Sequence, residues 1–233
     1  MRGTGGYIHT ARRILPAFFQ MIGKIDPTFE LPDVTAIDDE FLREHGIRGL
    51  IWDVDGTLTA HHAPEVHPTV HDRFAALRDR GDLRHAIVSN CPRDRFDQLG
   101  GVFPDLPIVL GFETPDGDAF WVLRDSQLVA HGAGRDRLVA GSDEIRPLRK
   151  PSASLVLQAI RLMGLEDEPG AVLMVGDQYF TDIAAANLAG VRSAKVATLR
   201  RSSFPLLLRV AQRFETALYR LRRALRGSSA KNR

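Results

Sequence analysis

The feature that most constrains this chain is a recurring unit: a short apolar run ends in a polar cluster and is followed by a segment with helical spacing. Residues 47–52 run into Asp53-Val54-Asp55-Gly56, residues 85–88 end at Ser89-Asn90, and residues 171–175 end at Gly176-Asp177. Residues 107–110 form another short apolar run, and residues 192–197 the last. Between them, residues 67–80 place Val70, Phe74 and Leu77 at helical intervals before Gly81, and Pro92 suits the first turn of a second helix. Residues 152–163 and 180–189 repeat the pattern, the latter stopping at Gly190. Strands that alternate with helices predict a parallel sheet with crossover helices. The expected fold is α/β, a Rossmann-like three-layer sandwich with a mainly parallel sheet.

Residues 112–147 break that rhythm. Residues 118–123 and 127–131 read as short strands about a turn at Arg124-Asp125-Ser126. They predict a small β-hairpin cap insert, lying as a lid over the sheet edge. The expected organisation is therefore an amphipathic and acidic N-terminal segment (1–45), an α/β core (46–203) carrying the insert at 112–147, and a basic amphipathic helix and tail (204–233).

Composition matters mainly through its distribution. The net charge is only +2. From Arg192 onward, however, twelve Lys and Arg face a single acidic residue, Glu215. A mildly acidic body thus carries a strongly basic tail, which points toward an anionic surface. No apolar stretch reaches the roughly 18 residues needed to cross a bilayer. The best candidate, residues 14–25, is broken by Pro16, Gln20 and Lys24 and lacks a small-residue cleavage site. The single cysteine, Cys91, permits no internal disulfide and suits a reducing compartment. These features predict a cytoplasmic protein, peripheral on the inner membrane face.

Ligands of open parallel sheets bind at the carboxyl ends of the strands. There the sequence would assemble Asp53, Asp55, Ser89, Asn90 and Asp177, with Lys150 just ahead of a helix. Hard carboxylate oxygens with few other ligands suit Mg²⁺. A lysine in an acidic, metal-binding site implies a further anion, and phosphate fits.

These residues resemble the haloacid dehalogenase superfamily of phosphatases and phosphotransferases. Its first motif stands here as Asp53-Val54-Asp55-Gly56-Thr57-Leu58-Thr59, its second as Ser89, its third as Lys150-Pro151 and its fourth as Gly176-Asp177-Gln178-Tyr179-Phe180-Thr181-Asp182. Asn187 and Gly190 after the fourth motif, with Leu31-Pro32-Asp33 and Gly46-Ile47-Arg48-Gly49-Leu50-Ile51 ahead of the first, are similar to the bacterial and mitochondrial phosphatidylglycerophosphate phosphatases. The resemblance implies that Asp53 attacks phosphorus to give an aspartyl-phosphate, and that Asp55 protonates the leaving alcohol and then activates water. It further implies that Ser89, Asn90 and Lys150 bind phosphate. Mg²⁺ would be held by the Asp53 side chain, the Asp55 backbone carbonyl and Asp177, with Asp182 orienting Lys150 or a metal-bound water.

The substrate implied is a phosphorylated small molecule or lipid. A sugar phosphate, a nucleotide and a phosphoprotein are the alternatives within the superfamily. A basic nucleic-acid-binding module is disfavoured, because the catalytic set is complete and the tail lacks interleaved aromatics for base stacking. His67 and His71 have zinc-compatible helical spacing but no supporting cysteine. His61 and His62 fit a solvated or substrate-edge cluster, Cys91 a small loop residue, and Tyr179 and Phe180 packing or the site wall. In the tail, Leu207, Val210, Ala211, Phe214, Leu218, Leu221 and Leu225 recur on one helical face. Arg209, Arg213, Arg220 and Arg223 lie opposite, with Arg222 and Arg226 on the flank. Such a helix either meets an anionic membrane or packs on the domain with its arginines solvated.

Overall fold

The computed structural model describes residues 22–231. Residues 1–21, nearly half of the expected N-terminal segment (1–45), lie outside the described residues. Nine described strands form one sheet in the order β1-β9-β8-β2-β3-β4-β5-β6, with β7 paired to β4. The central strands are β2 (Gly49–Trp52), β3 (Arg84–Val88) and β8 (Val172–Gly176). Pairing is parallel from β1 (Phe29–Glu30) through β9 (Arg192–Lys195), β8, β2 and β3 to β4 (Ile108–Thr114).

Both faces of this sheet are covered, which explains why its strands read as unbroken apolar runs. Leu50, Trp52, Ile87, Leu173 and Val175 enter one core, and Ile51, Ala86, Val88 and Met174 enter the other. Helices α1 (Asp39–Glu44), α2 (Pro68–Arg78), α3 (Arg93–Val102), α4 (Arg135–Ala140), α5 (Ala153–Met163) and α6 (Ala184–Ala189) connect the strands. Trp52 is fully buried and donates its indole N–H to His85 Nδ1 at 3.1 Å. Burial holds the His85 ring neutral, pushing its pKa down to about 4. Neighbouring Leu50 pairs with His85 on one side and Leu173 on the other, so the carboxyl ends of β2, β3 and β8 finish side by side.

The insert corrects one expectation. The hairpin forms, with β5 (Gly117–Arg124) and β6 (Gln127–Gly132) joined at Asp125 and Ser126, both at positive φ as a tight two-residue turn requires. It is a continuation of the main sheet, not a lid. β5 pairs antiparallel with β4 from Ile108↔Leu123 to Thr114↔Gly117. The outer edge of β4 would otherwise leave a row of unpaired backbone groups, and β5 satisfies them while burying Ala119, Phe120 and Val122. β7 (Arg146–Leu148) takes the side of β4 beyond the end of β3 and returns the chain to Lys150.

The tail is a single long helix, α7 (Leu206–Lys231). One face is apolar, as its spacing predicts, but most of it does not pack on the described domain; Leu218 is half-buried and borders a groove with Ile22. Gln212, Glu215 and Tyr219 are the buried positions, whereas Leu207, Val210, Phe214 and Leu221 are exposed. Three of its arginines make ion pairs: the largely buried Arg222 and the exposed Arg226 pair with Asp26, and the exposed Arg223 pairs with Glu30.

Candidate active site

The first motif begins where β2 stops. Asp53 N–H still donates to Val175 O at 2.9 Å, and the chain then turns at Gly56, which has φ +95°. A side chain there would be strained, and its Cβ would lie 2.8 Å from Asp177 Oδ2. Gly176 is under a different constraint. A Cβ at that position would sit 2.3 Å from the Cβ of Asp182. The glycine thus leaves the space into which Asp182 packs. A π-helical turn, Tyr179–Ile183, carries Asp182 back over the end of β8.

The Lys150 ammonium ties the motifs together. It donates to Asp53 Oδ1 at 2.6 Å, Asp182 Oδ1 at 2.7 Å and Val88 O at 2.9 Å, so all three of its N–H bonds are engaged. Asp182 Oδ2 accepts from Gln178 N–H at 3.0 Å. Asn90 lines the same cavity, but its side chain also clasps the Lys150 peptide: Oδ1 accepts from Lys150 N–H at 2.7 Å and Nδ2 donates to Lys150 O at 3.1 Å. Asn90 therefore braces the lysine, a role its expected contact with phosphate did not include. Ser89 is buried beside it on the cavity wall.

Three buried carboxylates share this space. Ligand atoms of Asp53, Asp177 and Asp182 all lie within 4.8 Å of one another. Burial, with the Asp182 charge next, pushes the Asp53 carboxyl well up, although Lys150 works against this. Asp177 is pushed up to about 6 by burial and by Asp182, with the Thr198 hydroxyl opposing. Burial alone would lower the Lys150 pKa, but the carboxylates of Asp182 and Asp53 outweigh it and keep the ammonium charged. Asp177 Oδ1 is buried and accepts no hydrogen bond among the described residues. An uncompensated carboxylate oxygen facing two others is a donor set with room for a cation.

Asp55 is arranged differently. Its Oδ1 accepts from Arg95 Nη2 at 2.8 Å, His62 N–H at 2.9 Å and Thr59 Oγ1 at 3.2 Å. Oδ2 has the His62 ring at 3.9 Å. One oxygen is fixed and the other is left toward the cavity. The 2%-exposed Arg95 was not anticipated, since Arg93-Asp94-Arg95 reads as the polar face of a helix. Arg95→Lys keeps the charge but loses the fork that also holds Ala63 O and Gln98. It is expected to lower kcat on p-nitrophenyl phosphate by roughly 10–100-fold with little change in KM, the worth of one or two charge-assisted hydrogen bonds. Steady-state rates check this, and an unchanged kcat would remove Arg95 from the positioning of Asp55.

α7 supplies further unanticipated groups. Gln212 Nε2 lies 3.5 Å from Asp177 Oδ2. Glu215 Oε2 accepts the N–H groups of Tyr179 at 3.1 Å and Phe180 at 3.5 Å, at the start of the π-helical turn. Burial raises Glu215 to about 7. The one signal in the sequence was that Glu215 is the only carboxylate of the basic tail. The cavity, about 310 Å³, is lined by Asp53, Asp55, Ser89 and Lys150 on one side and by Phe204 and Leu208 on the other. No residue of 112–147 lines it.

The remaining expectations separate. His61 and His62 line the cavity, with His61 stacked on Phe204 at 4.5 Å. His67 and His71 do not form a metal group: His67 accepts from Thr69 N–H at the start of α2, and His71 contacts Asp72. Burial pushes the Cys91 thiol up to about 11, so it stays protonated. Tyr179 is a packing residue, stacked on Tyr219 at 4.4 Å.

Comparison with known proteins follows the motifs. Residues 147–202 match the family described as HAD-hydrolase-like, and residues 13–97 match the family described as mitochondrial PGP phosphatase. A Chlamydomonas reinhardtii protein named phosphatidylglycerophosphate phosphatase 1, chloroplastic, is 27% identical over 190 residues, covering 81% of this chain. The chain spans 59% of that relative's length. YqeG of Bacillus subtilis (strain 168), named as a probable phosphatase, is 26% identical over 179 residues, covering 75% of this chain and 81% of its own length. A crystal structure of an uncharacterized protein from Listeria monocytogenes serotype 4b aligns at a TM-score of 0.41 with 17% identity, covering 69% of this chain and 86% of that one.

Proposed function

We propose that this chain is a phosphatase of the haloacid dehalogenase superfamily, that its site hydrolyses a phosphate monoester through an aspartyl-phosphate on Asp53, and that the substrate is a lipid phosphate, phosphatidylglycerophosphate foremost. The observation that carries the chemistry is the Lys150 ammonium held between Asp53 and Asp182 beside the unpartnered Asp177 oxygen. The substrate class draws on the family match over residues 13–97 and on the named relative.

A carboxylate oxygen of Asp53 forms the new bond to phosphorus as the bond to the leaving alcohol breaks, and Asp55 delivers a proton to that alcohol. Asp55, now ionised, takes a proton from water as the water oxygen attacks the same phosphorus. The bond to Asp53 then breaks and inorganic phosphate leaves. Arg95 and His62 N–H keep Asp55 in position for both transfers. Lys150 holds one Asp53 oxygen and keeps positive charge beside the phosphoryl group, with Ser89 donating to a phosphoryl oxygen. Asp182 has both oxygens engaged, by Lys150 and Gln178, and acts by orienting the lysine.

Mg²⁺ fits the donor set that remains. The Asp53 and Asp177 side chains with the Asp55 carbonyl would hold it, and when bound it offsets the repulsion between these carboxylates and an anionic substrate.

Initial rates on phosphatidylglycerophosphate in mixed micelles, a sugar phosphate, a nucleotide and a phosphopeptide test the proposal, each with Mg²⁺ and with EDTA. The lipid is expected to give the highest kcat/KM, and EDTA to abolish turnover until Mg²⁺ is restored. A metabolite or phosphopeptide preferred over the lipid would overturn the substrate class. Turnover insensitive to EDTA would overturn the role of the metal.

A further inference from the structure

We propose that the exposed apolar stripe of α7 is a docking face for an anionic lipid bilayer, and that it seats the mouth of the catalytic cavity at the membrane surface. The docking stands on the geometry of α7, and only its use in delivering a substrate rests on the function proposed above.

α7 is built the reverse way from a helix that closes a domain. Its docked side is polar: Gln212 reaches Asp177, Glu215 caps the π-helical turn, Tyr219 stacks on Tyr179 and Arg222 pairs with Asp26. Its apolar side faces away, with Leu207 80%, Val210 54%, Phe214 59% and Leu221 57% exposed. Their spacing of three, four and seven residues keeps them on one line along the helix. A contiguous apolar stripe left in water marks an interaction site.

Charge selects the occupant. Arg209, Arg213 and Arg220, which the helical spacing sets away from the stripe, make no ion pair among the described residues. The one carboxylate of the helix, Glu215, is buried on the docked side. A second copy of the chain would bring the same positive rim against this one. Residues 1–21 carry Arg2, Arg12 and Arg13 and no carboxylate, so they offer no negative charge to these arginines. An anionic bilayer satisfies both halves of the surface, since its headgroups meet the arginines while the apolar side chains enter the interface. No described helix is long and apolar enough to cross a membrane, so the contact is in-plane. The position is also apt, because Phe204 and Leu208, where α7 begins, line the cavity that holds Asp53 and Lys150.

The test is co-sedimentation of the full chain, without substrate, with vesicles of phosphatidylglycerol and phosphatidylcholine or of phosphatidylcholine alone. The expected result is binding to the anionic vesicles at low salt, weak binding to the neutral ones, and at least about tenfold weaker partitioning for a Phe214→Ser, Leu221→Ser double variant. That variant is expected to keep parental turnover of p-nitrophenyl phosphate, which shows that it is folded. If neither protein has turnover, circular dichroism reports folding and the sedimentation result still decides the docking, while the function proposed above fails separately. Equal sedimentation of parent and variant, no sedimentation of the parent, or a dimer of the parent that the double substitution dissolves would each overturn the proposal.

Discussion

Asp53→Asn is expected to reduce turnover by on the order of 10⁴-fold or more while leaving a folded protein. The amide keeps the shape of the carboxyl group but removes the nucleophilic charge and one of the cation donors together. Stability should not suffer, because the substitution takes one negative charge out of a group of three crowded, buried carboxylates in which Asp53 is already pushed well up by burial and by Asp182. Rates on p-nitrophenyl phosphate and a thermal melt check both halves. Near-parental turnover would remove Asp53 from the mechanism.

Lys150→Met is expected to be the most disruptive single change, costing about 3–5 kcal/mol of stability as well as nearly all activity. The Lys150 side chain is 2% exposed, and its partners Asp53 and Asp182 are 8% and 1% exposed. Removing the ammonium leaves their carboxylates buried without the charge that balances them, and leaves Val88 O without its donor. The loss should ease as pH falls. With the cation gone, protonating the buried carboxylates relieves the repulsion that destabilises the fold, so the gap between parent and variant narrows at acid pH. Chemical denaturation at two pH values measures this. A variant as stable as the parent at neutral pH would show that Lys150 does not hold the carboxylates together.

The core strands were legible because each is written in consecutive residues, and the motif residues because they stand where an apolar run ends or a helix begins. Runs such as Leu50-Ile51-Trp52 send alternate side chains into two cores and so show no polar break until Asp53. The hairpin strands were also legible, but not their partner. Whether a hairpin covers a site or widens a sheet depends on which edge accepts it, and the pairing of β5 with β4 leaves no local mark in the sequence. Arg95 was missed for a related reason: an arginine on a polar helix face looks the same whether it meets water or a carboxylate 40 positions away. The periodicity of α7 predicted an apolar face but not its direction. Its docking is decided by the hydrogen bonds of Gln212 and Glu215 and by the ring of Tyr219, which a hydropathy pattern weighs as solvent-facing. The same hydrogen bonds make this helix part of the site wall, with its arginine-flanked side outward.

The central claim is that Asp53 carries the phosphoryl group between two half-reactions. The Asp55→Asn variant isolates that step. With p-nitrophenyl phosphate the leaving group needs little protonation, so the first half-reaction proceeds, while release by water lacks its base and slows by roughly 10²–10⁴-fold. Acid quenching that variant during turnover with Mg²⁺, followed by mass spectrometry of the peptide containing residue 53, is the most direct measurement. A phosphoryl group on Asp53, absent when Asp53 is replaced by Asn, is the result predicted here. Nitrophenol release with no covalent phosphate on the chain, or with phosphate on another residue, would contradict it.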